Sequence, residues 1–251
     1  MVPKIQQLVP IFCHLFLLAA NLQCIMLHRF IIVNSGRSVL LICLFCFGFL
    51  IPSKAQYEYV DTAAIRKQIN TSSTDAERSR LYGILGWEMR FSNQPKAVEL
   101  ADSMILLSTV SKDDVRLAEA YRIKGFVKVV NQDIEGCLKM YEQGIRYAKK
   151  AKSKYYESAI LNLIAGMYQD KGDYDQSIQF FLEASKAAEE SKSSEMIAFT
   201  ANSTAEAYSD AGRPIGFTRP FYEKALREVL PRNNWQYAGM IHSNMAKEYM
   251  M

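Results

Sequence analysis

Residues 92–104, "SNQPKAVELADSM", are echoed by "QDIEGCLKMYEQG" (132–144), "GDYDQSIQFFLEA" (172–184) and "GRPIGFTRPFYEKA" (212–225). The stretches begin at Ser92, Gln132, Gly172 and Gly212, a constant offset of 40 residues. A fixed period of this length implies a stacked array, because each unit leaves an apolar face that only its neighbour covers. The chain is therefore to be searched first for a binding surface and only then for an active site.

Each unit reads as two antiparallel helices. In the third copy Leu161, Ile164, Ala165 and Tyr168 share one face of a first helix. "KGDY" makes the turn, and Ser177, Phe181 and Ala184 share one face of a second helix; these spacings are helical. Small Ala165 and Ser177 let the backbones approach, and Tyr168 and Phe181 are expected to fill the space beside them. Gly172 supplies a permissive backbone where the first helix ends.

This pattern resembles the tetratricopeptide repeat (TPR). The third copy carries it most fully, with Ala165, Tyr168, Gly172, Tyr174, Ser177, Phe181 and Ala184. The second has Gly125, Ile134, Cys137, Tyr141 and Gly144, and the fourth has Ala205, Tyr208, Gly212, Tyr222 and Ala225 with one extra residue. The first is weaker, with Leu85, Ala97, Ala101 and Met104. The resemblance covers residues 76–251 and implies an all-α fold, an α-solenoid of antiparallel helix pairs wound as a right-handed superhelix. It also implies a protein that binds rather than catalyses. The family's period is about 34 residues; the extra length, shared between two helices, lengthens each by about one turn. Cys137 occupies a place that wants a small buried residue, so its expected role is structural.

Residues 56–75 are expected to form an N-terminal capping helix around "YVDTAAIRKQIN" (59–70), and "TDAE" (74–77) reads as a capping box opening the first repeat. "QYAGMIHSNMAKEYM" (236–250) reads as the first helix of a fifth repeat, with Ala246 and Tyr249 in register. With no second helix to follow, the array of 76–251 looks truncated. Lys149, Lys150, Lys152 and Lys154 are expected at the end of a second helix, where the dipole favours cations.

The leader differs from the body. Residues 1–55 hold Lys4, Arg29, Arg37 and Lys54 and no acidic residue, so they carry the whole net charge of +4. The remainder is neutral and gives no electrostatic reason to expect a nucleic-acid partner. "VLLICLFCFGFLIP" (39–52), with arginines before it and "SKA" after it, has the form of a secretory signal cleaved after Ala55. A second apolar segment, "LVPIFCHLFLLAA" (8–20), makes the leader long. Either translation starts at Met26, or both segments form an uncleaved membrane anchor. The product is expected to be exported, as to a bacterial periplasm, or anchored facing outside the cytoplasm, with membrane association through residues 1–55. Four of the five cysteines lie in that leader, so the body cannot form an internal disulfide.

Catalysis finds little support. Histidine occurs only at positions 14, 28 and 242, and there is no P-loop, GxSxG, HExxH or GxGxxG after a strand. No catalytic, cofactor or metal residue is expected. The resemblance implies a concave groove lined by the first helices. Its register places Tyr82, Glu119, Arg122, Phe126, Asn162, Gln169, Asn202 and Glu206 there, for a peptide or protein ligand. Asn162 and Asn202 are equivalent in successive repeats and could ladder a peptide backbone, since an amide both donates and accepts; the alternatives are solvated residues or bonds between neighbouring helices. "NST" (202–204) is a sequon on that inner face, where glycosylation is not expected. A TPR specialisation that binds acidic chaperone tails uses Lys, Asn and Arg. Tyr82, Gly86, Ile123, Ala159 and Leu163 stand at those places, so that clamp is absent. Arg122 mixed with Glu206 argues against a strongly charged ligand. An exported leader before long-period repeats also resembles the front half of Bacteroidetes-type sensor proteins, in which a histidine kinase, cyclase or helix-turn-helix output follows.

Overall fold

The structure is a computed structural model that describes residues 61–248. The expected signal peptide at 1–55, with Met26 and Ala55, lies outside the described residues, as does Tyr249. Among the described residues ten α-helices follow one another: α1 (Thr62–Thr71), α2 (Asp75–Met89), α3 (Gln94–Ser111), α4 (Asp114–Val130), α5 (Ile134–Lys150), α6 (Lys154–Asp170), α7 (Tyr174–Ser191), α8 (Ser194–Asp210), α9 (Ile215–Val229) and α10 (Trp235–Glu248). A short 3₁₀ turn, Leu230–Arg232, precedes α10, and no strand occurs among the described residues. Pairs α2–α3, α4–α5, α6–α7 and α8–α9 are the repeats, so the fold is an all-α solenoid.

The turns divide each 40-residue unit into two halves of 20. Left-handed backbone occurs at Lys112, Gln132, Lys152, Gly172, Lys192 and Gly212, with φ of 57, 60, 54, 75, 56 and 69°. These positions are 20 apart without exception, and the last, Asn233, comes one residue late because of the insertion in the fourth copy. A left-handed residue just past the helix lets the next N–H turn back to a carbonyl five residues earlier. Asp113 reaches Ser108 (2.9 Å), Asp133 reaches Lys128 (2.9 Å) and Asp173 reaches Tyr168 (3.0 Å), satisfying orphan carbonyls. The three aspartates also cap the following helix, as Asn93 does in the first pair. Asn93, Asp113, Asp133 and Asp173 accept from the backbone N–H of Lys96, Arg116, Gly136 and Gln176.

Second helices bury a single stripe. In α5 it is Cys137, Tyr141, Gly144 and Ala148. First helices are enclosed on more than one side: in α6 every residue from Ser158 to Asn162 is buried. The inner first helices α4, α6 and α8 each pack against their own second helix, the preceding second helix and the neighbouring first helices. Phe181 is 2% exposed and sits with Ala165 and Ala207, a burial worth roughly 1.5–3 kcal/mol. Tyr168 does not share that space. It stacks on Phe180 instead, with centroids 5.4 Å apart and planes 6° from parallel.

Two local expectations change in detail. Thr74 accepts from the N–H of Glu77 at 3.2 Å, but the Glu77 carboxylate turns to Arg80 (2.8 Å), so half of the capping box pairs elsewhere. Lys154 opens α6 rather than closing α5. A cation there faces the positive end of the helix dipole, and Glu157 (3.0 Å) and Glu190 (2.9 Å) hold it.

At the N-terminal end, Asp61 caps α1 by accepting from Ala63 and Ala64, both at 3.0 Å. Ile65 and Ile69, one turn apart, rest on the cluster containing Leu85 and Leu100, so α1 covers the apolar edge of the first pair. At the other end Ala238 and Ile241 of α10 complete the cluster around Tyr222.

Candidate binding face

First helices touch one another along the array, α2 to α4, α4 to α6, α6 to α8 and α8 to α10. Second helices make no comparable contacts with one another among the described residues. The first helices are thus the tighter layer, and the array bends around them as a concave side. Tyr82, Arg122, Asn162 and Asn202 hold one register position on four successive first helices, and Phe126 and Glu206 hold the position one turn further on.

Close approach of the first helices encloses much of this row. Glu119, Arg122, Asn162 and Asn202 are 6, 9, 6 and 3% exposed, where a register projection alone treats them as groove-facing. Tyr82, Phe126, Gln169 and Glu206 remain half-buried. Tyr82 lines a cavity of about 320 Å³ with Arg66, Lys96 and Glu99, under α1. Glu119 pairs with Arg116, and its carboxylate lies 2.7 Å from where a side chain on Gly83 would begin. The two asparagines do not share a bonding pattern. Asn202 donates to Glu206 (3.1 Å) and accepts from Asn244 (3.4 Å), whereas the buried Oδ1 of Asn162 has no partner. Asn202 and Thr204 of the sequon are both buried.

The two ends of the face differ in the charged residues that lie closest together. Around α2 and α4, the guanidinium of Arg122 lies 3.6 Å from the centroid of Trp87 and that of Arg90 lies 4.0 Å from it. Phe126 meets Trp87 edge-on at 5.5 Å and Phe91 at 5.0 Å. Burial lowers the pKa of Arg90, and nearby Arg122 lowers it further against the opposing pull of Glu88. Around α6, α8 and α10, Gln169, Asp170, Glu206, Asp210, Asn244 and Lys247 line a cavity of about 380 Å³. Gln169 donates to Asp210 at 2.6 Å, and Asn244 donates to Glu206. Burial raises the Glu206 pKa, Asp210 adds to the rise, and Lys247 and Asn202 oppose it. Arg122 is not among the groups acting on Glu206, which are Asp210, Lys247 and Asn202.

Trp87, Arg90, Phe91, Asp210 and Asn244 escaped the sequence reading. Trp87, Arg90 and Phe91 are spaced i, i+3, i+4 at the end of a first helix, which could have flagged a common face. Their positions carry no character that repeats in the other copies. Cys137 is fully buried, and burial pushes its thiol pKa up to about 11, which fits a packing residue rather than a nucleophile. No metal-holding group of three or more His, Cys, Asp or Glu occurs among the described residues.

No protein-family model matches the chain, and no curated protein does. Among solved structures it is similar to BtubC (BKLC) from P. vanneervenii. The identity is 12% and the TM-score 0.52, over 70% of this chain and 76% of that one. It is also similar to a Podosopora anserina putative kinesin light chain with nearly identical TPR-like repeats, at 16% identity and a TM-score of 0.43, over 67% and 83%. The fold is a TPR-like α-solenoid, a helical repeat array of the kind that generally presents an extended concave surface to proteins.

Proposed function

We propose that the chain is a non-catalytic scaffold that holds a peptide or protein partner along its layer of first helices. One observation carries the reading. Arg122 Nε and Asn162 Oδ1, one repeat apart at the same register, are buried without a partner. Each such atom costs about 1–3 kcal/mol unmade; the other enclosed atoms without a partner among the described residues, Arg90 Nε, Tyr141 Oη, Ser177 Oγ and Tyr237 Oη, lie off this row. A partner laid along the row supplies the missing acceptor and donor.

Selection of random displayed peptides on the full chain tests this. Enriched peptides should lose binding to the Arg122→Met and Asn162→Ala/Asn202→Ala variants while the variants keep their helical signal. Absence of enrichment, or equal binding to all three proteins, ends the reading.

We assign the binding to the outside of the cytoplasm, on the strength of the apolar run at 39–52 and its "SKA" exit. As the input region of a signalling protein, the array would pass partner occupancy to an output domain. Fusion of residues 1–60 to alkaline phosphatase, which is active only after export, tests the location; an inactive fusion rejects it.

A further inference from the structure

Trp87 is clasped by two arginines. Two guanidinium carbons lie 3.6 and 4.0 Å from one ring centroid, which brings the two cations close together. Such stacking attracts each cation to the ring but leaves the repulsion between the cations in place. Other paired arginines of the array show the usual solution. Arg80 has Glu77, Arg116 has Glu119 and Arg219 has Glu223. Among the described residues no carboxylate comes within ion-pair distance of Arg90 or Arg122.

Most of their donors are also unspent. The Nε atoms of both arginines are enclosed without an acceptor. Arg90 places one terminal nitrogen on the Trp87 carbonyl (2.5 Å), and no acceptor among the described residues meets either terminal nitrogen of Arg122. Arg122 is 9% exposed, so its planar fork is held by packing rather than free to sample solvent. It also lies 5.6 Å from the Tyr156 ring. Phe91, 64% exposed, extends the aromatic wall outward. A cationic fork fixed beside aromatic surface is a receptor for a planar anion with apolar neighbours.

We propose that Arg90 and Arg122 form an anion-binding site at the rim of Trp87 that receives a side-chain carboxylate of an acidic peptide segment. The site deepens the scaffold reading and rests on it. It uses none of the positions of the chaperone-tail clamp, Tyr82, Gly86, Ile123, Ala159 and Leu163. The acidic stretch at the far end, around Glu206 and Asp210, sets the polarity: the acidic end of the partner lies over α2 and α4, away from α8.

The chain holds two tryptophans, and Trp235 is 65% exposed, so full-length Trp235→Phe protein leaves Trp87 as the sole reporter. Titration with hexaglutamate should change Trp87 emission saturably, and hexalysine should not. Arg90→Met and Arg122→Met should each weaken the midpoint by about tenfold or more, the equivalent of about 1.4 kcal/mol. Arg90→Lys, which keeps the charge but loses the fork, should fall between. Thermal melts of the variants verify that they are folded, and Arg90, the more peripheral of the two, carries the test if Arg122→Met melts early. No saturable change with hexaglutamate, or equal binding by folded Arg90→Met, overturns the site. Saturation by inorganic phosphate at the same concentration overturns the peptide assignment in favour of a free anion. Selected peptides that bind Arg90→Met unchanged leave the scaffold reading standing and remove this one.

Discussion

The ring of Tyr141 lies across Gly125, with Cδ1 only 2.5 Å from where a β-carbon on that glycine would sit. The equivalent pairs in the other repeats are Leu85 with Ala101, Ala165 with Phe181 and Ala205 with Tyr222. A large residue on one helix always faces a small one on the other, and in the first pair the assignment is reversed. Gly125→Ala gains about 1 kcal/mol of helix propensity but drives a methyl into a fully buried ring, at about 1–3 kcal/mol. Net destabilisation is expected in urea melts. Gly125→Leu combined with Tyr141→Ala copies the first pair, and the double variant should be more stable than the two single losses predict by at least about 1 kcal/mol. Strict additivity would show that the residues do not compete for one space.

Lys192 and Gly172 occupy equivalent turns with φ of 56 and 75°. A lysine pays a steric penalty of about 1–2 kcal/mol in this conformation, partly offset by the larger chain entropy that glycine loses on folding. Lys192→Gly should therefore raise the urea midpoint, by a few tenths to about 1 kcal/mol. Gly172→Ala should lower it by about 1 kcal/mol, although a methyl there meets nothing within 4 Å. Loss from a substitution that touches nothing isolates the backbone contribution. An unchanged Gly172→Ala midpoint would mean that this turn relaxes freely.

The 40-residue period was legible because packing repeats side-chain size at fixed register, as at Ala165, Phe181 and Ala184. The deeper 20-residue period of the turns was not. Left-handed backbone there goes with bonds that fold the chain back onto the end of the preceding helix, to a carbonyl at most turns and to Ser191 Oγ after Lys192; only Gly172 and Gly212 advertise it, and Lys112, Gln132, Lys152 and Lys192 adopt it against their own preference. The groove row was legible as a register and not as an environment. Whether Asn162 faces solvent depends on how closely α4 and α8 approach α6, which no single helix encodes. Trp87, Arg90 and Phe91 were invisible to a repeat alignment because they belong to one copy alone, and features unique to one repeat are where a scaffold can acquire a specific partner.

Cys137 gives a direct test of packing around Tyr141. Its thiol is fully enclosed and burial lifts its pKa to about 11, so little thiolate forms near neutral pH and reagent has no access. Under native conditions iodoacetamide should leave Cys137 unmodified in peptide mass maps, and it should react fully once urea passes the unfolding transition. Gly125→Ala, which pushes on Tyr141 beside it, should increase labelling below that transition. Native labelling of the wild type at the rate of a free thiol would contradict the packed core of α5.

Glu206 and Asp210 predict a pH dependence with a definite sign. Burial and the Asp210 charge raise the Glu206 pKa above its ordinary 4.5, so the folded state binds that proton more tightly than the unfolded state. Its contribution to stability is complete below the unfolded value and is lost as pH rises through the folded one. Glu77, Asp133 and Glu190 shift the other way, chiefly through side-chain hydrogen bonds to Arg80, Lys128 and Lys154. They lose their contribution as pH falls and supply an acid limb common to any variant at position 210. Asp210→Asn removes the like charge and keeps an oxygen to accept from Gln169. The difference in stability between Asp210→Asn and wild type should be near zero in acid, well below the ordinary Glu value, where Glu206 carries its proton and meets no like charge. It should grow as pH rises from the ordinary carboxylate range through the raised Glu206 value and level off above, at a fraction of a kcal/mol to about 1 kcal/mol. A gain of the same size at every pH would assign the effect to something other than the Glu206 proton.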